Sequence, residues 1–279
     1  MRGHVGVRRD GRWWGPLSQA CGGAAGAVGG SRVGDVEPAD AERAKGEVRE
    51  RVWDLLKHEG ASRFPGAHGR IPNFVGAERA AERLAGTSEW DGAQVLKVNP
   101  DSPQLPVRAR ALAEGKRVYM AVPRLTEDRP FLLLDPARIP VAPRKAASIK
   151  GAGQYGIPVG IDELPHVDLV VCGTVATSPE GTRIGKGGGF SDLEFGLLTE
   201  AGLVDAETAI ATTVHPLQVV DDEPLPETAH DFRVDMIVTP DDVRRPGHPS
   251  RPPGILWDHL DPDKIAAVPA LQALAARYR

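Results

Sequence analysis

The chain has 279 residues, 41% of them apolar and 26% charged, with a formal net charge of −4 and a pI near 6.1. That apolar content can fill a core, which excludes wholesale disorder, and the slightly acidic balance gives no electrostatic reason to expect a nucleic-acid partner. The two cysteines, Cys21 and Cys172, have no metal-type spacing and point to a reducing cytoplasm, and no apolar run approaches the ~18 residues of a membrane-spanning helix.

Residues 1–36 differ from the rest. The stretch Cys21-Gly-Gly-Ala-Ala-Gly-Ala-Val-Gly-Gly30 has almost nothing to bury, and glycine raises the entropic cost of ordering, so these residues read as a flexible extension. The same stretch is too glycine-rich for a signal-peptide core. Folding is expected to begin at Pro38–Asp40 with a helix whose Val48, Val52, Leu55 and Leu56 recur at i, i+4, i+7 and i+8. A second helix is expected over 75–84, closed by Gly86.

Alternation follows. Apolar runs at 95–98, 118–122, 131–134, 167–172, 209–214 and 234–238 read as strands, with helices predicted over 106–114, 192–201 and 262–276. Strands apolar on both faces, interleaved with helices, imply an α/β fold: an open, mainly parallel sheet covered by helices on both sides. The domain is expected to span 37–243, and 244–279 to hold a proline- and arginine-rich linker and a C-terminal helix.

The chemistry concentrates in Arg183-Ile-Gly-Lys-Gly-Gly-Gly-Phe-Ser-Asp192. A helix opening near Ser191 offers free N–H groups and a positive dipole end, both suited to phosphate. Glycines at 185 and 187–189 let the backbone approach phosphate oxygens without a Cβ in the way. Arg183 and Lys186 add cations, and Asp192 is placed to share a Mg²⁺ with the phosphates. No Gly-Lys-Ser/Thr follows, so this is not a Walker loop. The absence of an expected strand directly before it argues against the dinucleotide fingerprint. The remaining histidines show no zinc spacing.

This segment resembles the R-[LI]-G-x-G-x-G-[YF]-[YF]-D signature of the 5-formyltetrahydrofolate cyclo-ligase family. Lys45-Gly-Glu-Val-Arg49 is similar to that family's K-x-x-[LV]-R, and Leu225-Pro-Glu-Thr-Ala-His-Asp-Phe-Arg-Val-Asp235 to its P-x-x-x-H-D-x-x-x-D. The resemblance implies the open α/β fold of the sugar-phosphate isomerase and CoA-transferase proteins. It implies ATP bound by Lys45, Arg49, Arg183, Gly185, Lys186, Gly187, Gly188, Gly189, Phe190 and Asp192, with Arg183 and Lys186 catalytic and Mg²⁺ on Asp192 and Asp231. It also implies a reaction. The oxygen of an N5-formyl group takes the γ-phosphate of ATP, N10 attacks, and phosphate leaves as a methenyl bridge closes.

Departures from the pattern fall on the substrate side. Ser191 replaces the second aromatic of the signature, and Leu96-Lys-Val-Asn-Pro-Asp-Ser-Pro-Gln104 stands where the family carries an acidic E-[IVL]-x-T strand motif. Phe74, Asn99, Arg124 and Phe190 are the expected substrate contacts, the last also an ATP contact. Asn99 and Arg124 are placed beyond strand carboxyl ends, where open α/β sheets bind ligands. Two other readings stay open: a cyclo-ligase acting on a non-folate, thiamine-related or specialised metabolite, and a non-catalytic nucleotide- or RNA-binding module.

Overall fold

The computed structural model describes residues 38–122, 125, 127–247 and 251–276. The expected flexible extension at 1–36 and the candidate Arg124 lie outside the described residues.

Helix α1 (Pro38–His58) carries two kinds of residue on one face. Val48, Val52, Trp53 and Leu56 are buried, and in register with them Lys45 and Arg49 are buried too. The expected stripe is corrected at one point, since Leu55 points outward and Trp53 takes its place, donating from Nε1 to Arg70 O at 3.0 Å. The chain continues through α2 (Ala77–Ala85), α3 (Ser88–Gly92), β1 (Val95–Val98), α4 (Leu105–Ala113), β2 (Arg117–Ala121) and β3 (Phe131–Leu134). Then come α5 (Pro143–Ala146), α6 (Ile149–Tyr155), β4 (Ile157–Val159) and β5 (Leu169–Cys172). A two-stranded hairpin, β6 (Ala176–Thr177) and β7 (Arg183–Ile184), precedes α7 (Phe190–Glu200), β8 (Ala209–Thr213), β9 (Met236–Val238) and β10 (Val243–Arg244).

The main sheet has 8 strands in the order β10-β9-β8-β5-β1-β2-β3-β4. Its interior from β9 to β2 is parallel, while β10, β3 and β4 pair antiparallel at the edges. Strand β1 shows how the faces are used. Leu96 and Val98 pack toward α2 and α4, whereas Val95 packs on the opposite side with the core around α7. A third apolar cluster joins α1 to Val175, Ala176 and Ile184, seating the first helix against the hairpin.

Three boundaries depart from the sequence reading. A short strand, β7, does run directly into the glycine loop. The expected strands over 167–172 and 234–238 are shorter, and just before each the carboxylate of Asp168 or Asp235 accepts from the backbone N–H of Val95 or Ile210. The predicted final helix is two, α8 (Pro262–Ala267) and α9 (Pro269–Ala275). Val268, just before Pro269, is forced out of helical geometry at φ −120° and ψ 103°. The segment between β10 and these helices is fastened by its arginines. Arg245 pairs with Glu89 at 3.0 Å, and Arg251 with Asp235 at 2.6 Å. Among the described residues, no helix is long and apolar enough to cross a membrane.

Candidate active site

Parallel strands bring their carboxyl ends to one edge of the sheet, and here that edge gathers charge. After β1 the chain runs through Asn99, Pro100 and Asp101, and the buried Arg108 of α4 grips their carbonyls, with contacts of 3.1 Å to Pro100 O and Asp101 O and a short one to Asn99 O. Burial pushes the Arg108 guanidinium down to about 10 against the pull of the Asp101 charge, so it remains a cation at pH 7. Asp101 meets the loop, accepting from Lys186 Nζ at 3.2 Å. Asn99 meets the helix that follows, donating to Ser191 Oγ at 2.6 Å.

The hairpin before the loop exists to place Arg183. Its turn closes at Gly181, which has φ +87° and stands so near Val234 O that a Cβ would lie 2.5 Å from it. Arg183 is fully enclosed, its guanidinium 4.4 Å above the Phe232 ring and 2.5 Å from Asp192 Oδ1. Burial opposes its charge, yet Asp192 and the more distant Asp231 hold the guanidinium above its ordinary range. Its Nε is buried without a hydrogen-bond partner. A single arginine therefore bonds one of the expected metal ligands and lies within charge range of the other.

Helix α1 closes the site from the other side. Lys45 Nζ makes a short ion pair with Asp231 Oδ2, both side chains at most 10% exposed. Burial favours the neutral form of Asp231, but Lys45, the Thr228 N–H and Arg183 outweigh it and hold the carboxyl below its usual range. One helical turn on, Arg49 donates from Nε to Gly185 O at 2.7 Å and from Nη1 to Glu42 at 2.8 Å. The loop needs glycine where it passes this guanidinium. Gly187 has φ +99°, and a Cβ there would sit 3.3 Å from Arg49 Nη1. His230 is half-buried, and burial holds its imidazole below the ordinary range despite the neighbouring Asp231 charge.

Lys45, Arg49, Gly185, Lys186, Gly187, Arg183, Asp192 and Asp231 are thus joined by direct contacts or short-range charge around one loop. Gly188, Gly189 and Phe190 continue it into α7. Asn99 joins this group through Ser191. Phe74 does not. It is fully buried in a cluster with Ala77 and Ala80, its ring 6.3 Å from His215, because the bridge from Ser62 turns it inward. The structure thus places Phe74 in the core, apart from the loop.

Sequence reasoning missed Glu42, Asp101 as the partner of Lys186, and the buried ion pair of Lys97 with Glu194. The signal for the last was present. A lysine in the fully buried run Val95-Leu-Lys-Val98 must find an acid. Lys97 also donates to Asn99 Oδ1 at 2.7 Å, so Lys97, Glu194, Asn99 and Ser191 form one chain of contacts where an acidic strand motif was expected.

As metal ligands, Asp192 and Asp231 each commit one oxygen to a cation, Oδ1 and Oδ2 respectively. Among the described residues no group of three or more His, Cys, Asp or Glu is placed to hold a metal unaided.

The fold is an α/β one with a mainly parallel sheet, and the cation-lined glycine loop lies at its carboxyl edge. Residues 41–240 match the 5-formyltetrahydrofolate cyclo-ligase family, and the chain belongs to that family. A methenyltetrahydrofolate synthase domain-containing protein of Bos taurus is 38% identical over 237 residues, covering 83% of this chain and 62% of the relative. The Homo sapiens protein of the same description is 37% identical over 248 residues, covering 87% of this chain and 64% of its own length. The chain thus spans under two thirds of these relatives. The solution structure of Aquifex aeolicus 5,10-methenyltetrahydrofolate synthetase is similar at 20% identity and a TM-score of 0.47, over 79% of this chain and 99% of that one.

Proposed function

We propose that this chain is an ATP- and Mg²⁺-dependent cyclo-ligase that phosphorylates a formyl or amide oxygen and closes a ring, with 5-formyltetrahydrofolate as the first substrate to test. The observation that carries this reading is the convergence of Lys45, Arg49, Arg183 and Lys186 on the glycine loop, with Asp192 and Asp231 interleaved among them. Family membership supports the same reading.

The chemistry explains why such a site is needed. A formamide carbon is a poor electrophile until its oxygen becomes a good leaving group. Transfer of the γ-phosphoryl breaks the P–O bond to the β-phosphate bridge and forms one to the formyl oxygen, releasing ADP. N10 then attacks the activated carbon, its proton passes to solvent, and inorganic phosphate leaves with the C–O electron pair. Little covalent work falls to the protein, so catalysis is positioning plus charge neutralisation. Lys45 and Arg49 are fixed by burial and suit the phosphates of the bound nucleotide. Arg183 and Lys186 suit the oxygens that gain charge during transfer. Asp192 and Asp231 would hold Mg²⁺, which would supply positive charge to offset that of the phosphates.

One observation favours a second reading, in which the same chemistry acts on a non-folate substrate. Lys97 and Glu194 form a buried pair where the family pattern has an acidic strand motif, so the charge met by a substrate near Asn99 is rearranged. The test of both is an ATP-consumption assay with 5-formyltetrahydrofolate that also follows the methenyl chromophore. ADP and chromophore in equal amounts support the first reading. ATP binding without chromophore moves the assignment to the second, and no ATP binding removes both.

A further inference from the structure

We infer that the C-terminal segment completes the phosphate site, with Lys264 of α8 as a further cation on the glycine loop. This rests on the proposal that the loop binds a polyphosphate, and it goes beyond the family match, which ends at residue 240.

Lys264 Nζ lies 3.4 Å from Gly188 O and 5.5 Å from the centre of the Phe190 ring. It stands so close to the loop that a Cβ on Gly189, where φ is +63°, would be 3.0 Å from it. Each of the other cations of the site has an acid: Lys45 has Asp231, Arg49 has Glu42, Arg183 has Asp192 and Lys186 has Asp101. Lys264 has no carboxylate partner among the described residues. The hydrogen bond its Nζ makes among the described residues is long and goes to a neutral carbonyl. An ammonium held at a glycine loop and a helix start, with no counter-charge, is matched to an anion arriving there.

The backbone that carries Lys264 is fixed, while the side chain is partly exposed and can swing. Ile255 N donates to Glu200 at 3.1 Å, and Val268 and Leu271 are buried in the core beside α7. A second contact from the same segment reaches the site independently, because the His259 ring stands edge-on to His230 at 5.3 Å. The segment thus touches the site at two of its motifs, the loop and the His230-Asp231 pair.

The test is the affinity of the full chain for Mg·ATP, measured by calorimetry alongside the melting temperature. Lys264→Ala should weaken binding about tenfold, the size of one charge-assisted contact, with the melting temperature unchanged. Lys264→Arg should restore affinity to within about twofold, since it keeps the charge at similar reach. Lys45→Ala serves as the control for the underlying site and should weaken binding far more. If Lys45→Ala loses binding while Lys264→Ala binds like the unaltered chain, the Lys264 inference is overturned and the nucleotide site stands. If the unaltered chain binds no Mg·ATP, both fall.

Discussion

The cations of the site fall into two regions with different physics. Lys45, Arg49 and Arg183 are buried, the first two locked to Asp231 and the Gly185 carbonyl by contacts between distant segments and the third to the nearby Asp192. Lys186 is half exposed and held by a single 3.2 Å contact. A buried cation is pre-oriented for phosphate, but it is also part of what keeps the domain folded, because its removal strands a carboxylate in a dry interior. An exposed cation is free to follow a reacting group and contributes little to folding. Under the proposed function the same kind of residue would serve as clamp in one region and as mobile arm in the other, and substitutions should separate the two.

The largest expected effect is at Arg183. Arg183→Ala leaves Asp192 unpaired beneath the loop and should destabilise the fold by about 3–5 kcal/mol, read as a shift in the urea midpoint, with no remaining turnover. Lys45→Ala should destabilise by roughly 3 kcal/mol for the same reason. Pairing it with Asp231→Asn should recover much of that stability while nucleotide binding stays lost. Recovery of binding in the double variant would show that Lys45 acts only as a structural partner. Lys186→Ala sharpens the contrast from the other side. Stability should stay within about 0.5 kcal/mol, while turnover falls on the order of 100- to 1,000-fold.

The smallest effect is one of pH. The Asp231 carboxyl is held below its ordinary range in the fold, so the unfolded chain takes up its proton first on acidification. The pair with Lys45 thus contributes its full stability above about pH 4 and loses it as pH falls through the lowered Asp231 value. Urea midpoints measured from pH 6 downward should fall more steeply for the unaltered chain than for Asp231→Asn. Parallel curves would mean that Asp231 does not gain from its partners.

Much of this was legible in the sequence because local patterns fixed it. Lys45 and Arg49 are four residues apart and flank Val48, so a helix had to bring all three to one face. The glycine run followed by Asp192 announced a loop opening into a helix, and α7 begins at Phe190. What escaped depended on contacts between distant segments. Phe74 reads as an aromatic available to a ligand until the bridge from Ser62 turns it inward. Val268 shows the limit of periodicity, since the apolar spacing over 262–276 continues through a residue that Pro269 forces out of the helix. Lys264 carries no motif at all and gains meaning only when α8 folds back over Gly188.

The central claim, that the loop handles a phosphoryl group, is tested most directly by Lys186→Ala in a single-turnover experiment with Mg·ATP and 5-formyltetrahydrofolate, following ADP release at matched melting temperature. The account predicts a burst of ADP from the unaltered chain and its loss in the variant, with both proteins equally stable. An undiminished burst from Lys186→Ala would contradict it.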